Sequence, residues 1–164
     1  MNAVTLMIKS FFEKNEWRYN LEESEEDNND KIDTFRTGFN LKNEGIDLNI
    51  RIFRDREMYQ IIGFPRDSRI PVTSIQGGLI AVNEFNLRSS LACAFLDRED
   101  GCLGFFKGTN TDGLTFSEEV FNADLNAIFH AVDYETAQII KNAVKYDSIK
   151  EPPKKGFFSR FRKE

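Results

Sequence analysis

Apolar residues in this chain recur first with the period of a helix and then with the period of strands. Val4, Met7, Ile8, Phe11 and Phe12 fall at i, i+3, i+4, i+7 and i+8, the spacing that lines one helical face, and predict an amphipathic helix over 2–14 that Asn15 ends. Trp17, Tyr19 and Leu21 alternate instead, as a short strand does. Three more strands are expected at 35–41, 46–54 and 58–64, joined by the polar connectors Asn43-Glu44-Gly45 and Asp55-Arg56-Glu57 into an antiparallel meander. Ile46, Leu48, Ile50 and Ile52 give the middle strand a core face, and Asp47, Asn49 and Arg51 give it a wet one, as in a sheet with one side in water. Phe53, Tyr59 and Ile61 interrupt the wet face. An outward apolar cluster of this kind marks a protein-contact site.

Pro65 and Pro71 bracket a loop, and 72–86 fits a second helix with Asn86 as its C-cap. Gly77 and Gly78 lie inside it, and each costs about 1 kcal/mol against Ala in a helix interior. Either two backbones approach closely there or the helix starts only at Leu79. Strands at 91–96 and 102–107 flank the hairpin loop Asp97-Arg98-Glu99-Asp100-Gly101, and both are apolar on both faces. Thr115 with Glu118 reads as a capping box. Phe121, Leu125, Ile128, Val132, Ile139, Ile140 and Ala143 then continue one stripe with a bend near Asp133. The order α-β-β-β-β-α-β-β-α predicts an α+β domain over 1–148, an antiparallel sheet with flanking helices, and a flexible basic tail over 149–164. Three helices are too few to cover both sides of such a sheet, so a homodimer is expected to supply the missing cover.

Composition narrows the chemistry. Of 164 residues, 40% are hydrophobic and 16 are Phe, while a single His and two Cys remain for metal or nucleophile chemistry; the expectation is a globular domain that is no enzyme and holds no cofactor or metal. Free thiols fit a reducing, cytoplasmic location. The net charge of −5 is uneven. Residues 150–164 hold six Lys or Arg against two acids, a net +4, which leaves −9 on the body; an acidic body repels nucleic acid, and a basic tail is drawn to an anionic surface. Seven acids between 22 and 33, against Lys31 alone, read as a solvated loop.

Asn83-Glu84-Phe85-Asn86, Phe95-Leu96-Asp97 and Glu99-Asp100-Gly101-Cys102-Leu103, set in this element order, resemble the bacterial YbjN family from about residue 4 to residue 145. The resemblance implies a fold similar to the small acidic chaperones of type III secretion, a regulatory role in sensory transduction, frequent dimers and no catalytic residues. The acidic loop and the basic tail depart from the family pattern.

Other candidate chemistry is sparse. Asn110, Asp112, Gly113 and Glu119 fall at the third, fifth, sixth and twelfth positions of a calcium loop, but Gly108 stands where the first carboxylate belongs. His130 lies nine residues beyond Phe121, about 180° round the helix and hence on its wet side. Cys93 and Cys102 occupy neighbouring strands without facing each other and read as two buried thiols.

The tail has a pattern of its own. Pro152-Pro153 break any incoming helix, and beyond them come Lys154, Lys155, Phe157, Phe158, Arg160, Phe161, Arg162 and Lys163. Wound as a helix, the three Phe share one arc with cations at its flanks, an arrangement for lying in a membrane interface. It resembles the C-terminal membrane-targeting segment of MinD-type cell-division ATPases. The sequence thus predicts a non-enzymatic protein-interaction or regulatory module, brought by its tail to an anionic membrane surface at the inner face. The alternatives are a soluble, secretion-chaperone-like protein for one polypeptide client and, behind it, a small enzyme of unrecognised chemistry.

Overall fold

The computed structural model describes residues 3–24, 31–56, 58–111 and 116–148. The tail with all its named cations and Phe residues lies outside them, as do most of the acidic run, Asp112, Gly113 and Thr115. The elements are α1 (Ala3–Lys14), β1 (Asn20–Glu22), β2 (Ile32–Asn40), β3 (Gly45–Phe53), β4 (Met58–Pro65), a 3-10 turn (Val72–Ser74) leading into α2 (Ile75–Arg88), β5 (Cys93–Leu96), β6 (Leu103–Asn110), α3 (Glu118–His130), a π turn (Ala131–Glu135) and α4 (Thr136–Ser148). The strands form one antiparallel sheet in the order β1-β2-β3-β4-β6-β5. The α+β class is that read from the sequence, and the order of elements agrees except that a π turn divides the expected third helix into α3 and α4.

Opposed residues of an antiparallel pair share a face, so the register assigns every strand side chain to one side. On one side lie Phe35, Ile50, Ile61 and Phe105 with their neighbours, and there Ile8, Phe12, Phe85, Phe121 and Ile128 complete a single core. Phe12 meets Phe35, Phe85 meets Phe105 and Phe121 meets Tyr59, all edge-on, the favoured geometry for ring quadrupoles. Gly63 faces the same side, where an added Cβ would meet Ile128 and Val132.

The turn after β3 corrects the predicted outward cluster. Tyr59 and Ile61 are 1% and 0% exposed, inside the core, and only Phe53 stays on the other side. With the three-residue connector expected from sequence, Phe53 would share a face with both. The observed pairing of Phe53 with Met58 leaves four residues in the connector, and a slip of one residue exchanges the faces of a strand. Tyr59 therefore pairs with Ile52, and Ile61 with Ile50.

The glycine pair in α2 is explained by a close approach. The helix runs unbroken through Gly77, where a Cβ would stand 2.1 Å from the Ala143 carbonyl oxygen of α4. Asp147 Oδ1 accepts from the Gly77 N–H at 3.1 Å and ties the start of α2 to the end of α4. Asn86 is not the C-cap, since α2 continues to Arg88 and Ser89 follows it as the cap. The cap of α3 also differs: Ser117 Oγ accepts from the Val120 N–H, and the helix begins at Glu118 rather than after Thr115. At Asp133, where the sequence suggested a bend, the helix passes through the π turn. There the Asp133 carboxylate accepts from the Asn43 and Glu44 N–H groups at 2.6 and 3.3 Å, which ties the helical rod to the β2–β3 turn.

Candidate functional site

The second side of the sheet lies opposite the helical core by register, and it divides into two halves. Toward β2 and β3 it is polar: Arg36 bonds Glu22 at 2.8 Å, and Arg66 reaches across Gly38 to Asp47 at 3.1 Å. Toward β4, β6 and β5 it turns apolar. One cross-sheet row runs Arg36, Asn49, Ile62, Phe106 and Cys93, and the next holds Phe64 and Phe95. Phe95 meets Phe64 edge-on at 5.8 Å and Phe106 at 6.1 Å, and its ring covers Gly104, where a Cβ would fall 2.2 Å from it. On this side Ile62 is buried, and Phe64, Phe95 and Phe106 are partly buried. Sequence alternation missed this patch because it followed the wrong parity along β4. The signal was present, since Met58, Ile62 and Phe64 are as apolar as the residues chosen.

Two buried carboxylates, Asp33 and Asp124, are satisfied within the fold. Asp33, fully buried at the start of β2, accepts from Thr5 Oγ1 at 2.6 Å, from Arg54 Nε at 3.0 Å and Nη2, and from the Ser24 N–H. Burial raises its pKa, but the hydrogen bonds from Arg54, Thr5 and Ser24 outweigh it and hold the carboxyl below the usual range. The acidic run is thus no uniform loop, since Glu22 lies in β1 and Asp33 is a structural anchor. Asp124 of α3 accepts from Tyr59 and Thr109 hydroxyls at 2.7 and 2.6 Å and pairs with Lys107 at 3.1 Å. Burial, then the Asp124 carboxylate, pushes the Tyr59 phenol well above its usual value. These clusters join helices to sheet.

A cavity of about 320 Å³ lies between the end of α2 and the π turn, lined in part by Phe85, Arg88, Leu91, His130 and Glu135. Its charges bond each other, Arg88 to Glu135 at 2.9 Å, and His130 is exposed and stacks beside Tyr134. Cys93 is exposed and Cys102 half-buried, both as free thiols, which corrects the reading of two buried ones. Among the described residues no group of three His, Cys, Asp or Glu is placed to hold a metal, and no helix is long and apolar enough to cross a membrane. No family model, curated protein or solved structure matches the chain.

Proposed function

We propose that this domain is a non-enzymatic protein-interaction module whose contact surface is the aromatic half of the second sheet face, and which the basic tail brings to an anionic membrane surface. One observation carries the reading: Phe64, Phe95 and Phe106 lie by register on the side of the sheet opposite the helical core, and Phe95 is in ring contact with both of the others. Soluble domains rarely leave a contiguous aromatic patch uncovered unless it meets a partner. The buried carboxylates Asp33 and Asp124 are engaged in joining helices to sheet, which supports contact rather than turnover as the chemistry on offer. A regulatory role of YbjN type and a homodimer both fit this reading. Affinity capture with the whole chain and with Phe95→Glu tests it. The expected result is a set of specific proteins retained by the first and lost with the second, at equal helix content. Retention of the same proteins by both would overturn the assignment of the surface.

A further inference from the structure

Strand β5 is the last strand of the sheet, and its sequence surroundings make it a hazard. Leu91-Ala92-Cys93-Ala94-Phe95-Leu96 is a six-residue window without charge or proline, the composition that pairs readily with copies of itself. In an antiparallel ladder alternate residues turn both backbone groups toward the neighbour and the others turn both away. Here Ala94 turns away from β6, and both its groups are taken by one side chain. Asn86 Oδ1 accepts from the Ala94 N–H at 2.7 Å, and Asn86 Nδ2 donates to the Ala94 carbonyl at 3.0 Å. Two residues earlier, Ala92 is treated the same way by a different side chain. Ser89 Oγ donates to the Ala92 carbonyl at 2.8 Å and accepts from its N–H at 3.4 Å.

We infer that Asn86 and Ser89 close the β5 edge against strand addition by a second copy of this chain, so that contacts of the domain run through its face and not through this edge. The chemistry demanded is narrow. A side chain must present a donor and an acceptor together to replace a neighbouring strand, which an amide or a hydroxyl does and a carboxylate does not. Asn86 is exposed and makes both bonds at the end of α2, so the helix that covers one face of β5 also seals its edge. Such closure belongs to the devices by which sheets avoid edge-to-edge association.

The test compares Asn86→Ala and Asn86→Asp, each combined with Ser89→Ala in the full chain, by sedimentation velocity over a concentration series. Both changes remove the donor to Ala94 and weaken the fold, but the aspartate leaves a charge beside the edge, which itself deters pairing. The Asn86→Ala pair should form species larger than the wild-type assembly at a concentration lower by about tenfold, the equivalent of one or two new backbone hydrogen bonds. The Asn86→Asp pair should sediment as the wild type does. Ala94→Pro, which takes away the outward N–H, should return the Asn86→Ala pair to wild-type behaviour. Association by both pairs alike would trace it to lost stability and overturn the inference, and so would association by neither.

Discussion

Asp33 shows what a single residue contributes when its surroundings are complete. Its folded pKa lies below that of the unfolded chain, so the ionised form is favoured by folding. That stability is fully present above the unfolded value of about 4 and is lost as pH falls through the lower folded one. Urea unfolding of the wild type between pH 7 and pH 2.5 should therefore show an acid loss that Asp33→Asn lacks. At neutral pH Arg54→Ala should cost about 3 kcal/mol, because it strands a buried carboxylate, and parallel acid limbs for wild type and Asp33→Asn would contradict this. In the sequence Asp33 is one member of a charge run, and charge density says nothing about which member of a run turns inward. Asn86 was misplaced for a related reason. An amide near a helix end suits a C-cap, and nothing local says that a strand eight residues on will claim it instead.

At the scale of elements the periodicities were sufficient and the connections were not. Helical spacing marks α1, α2 and the α3–α4 rod, alternation marks β3, and apolar runs about a turn mark β5 and β6, since each signal depends on neighbours within a few residues. Which face each strand shows depends on the parity of the turn before it, and one extra residue between Phe53 and Met58 moved Tyr59 and Ile61 into the core. The glycine pair was legible as a choice between two explanations, and only the α2–α4 packing decides it. A Cβ at residue 77 would press on the Ala143 carbonyl, so Gly77→Ala should destabilise by about 3 kcal/mol through forced separation of the helices. Intrinsic propensity alone would have it stabilise by about 1 kcal/mol. The sign of the change in chemical denaturation separates the two.

On the scale of the whole molecule, the sheet has one face packed under helices and another with an aromatic half, and the sequence adds a tail of opposite charge to an acidic body. If the tail attaches the domain to acidic lipid, the whole chain should sediment with anionic vesicles and a version ending at Ile149 should not, with binding that weakens as salt rises because charges are screened within about 10 Å at 0.1 M ionic strength. Equal sedimentation of the two would leave a soluble binding protein. The aromatic half of the second face is expected to meet a second copy of this chain, the partner always at hand. Light scattering of the wild type and of Phe95→Glu at micromolar concentration tests it most directly. The account predicts about twice the chain mass of 19.0 kDa for the wild type and the single-chain mass for a folded Phe95→Glu; a wild type at the single-chain mass, indistinguishable from the variant, would contradict it.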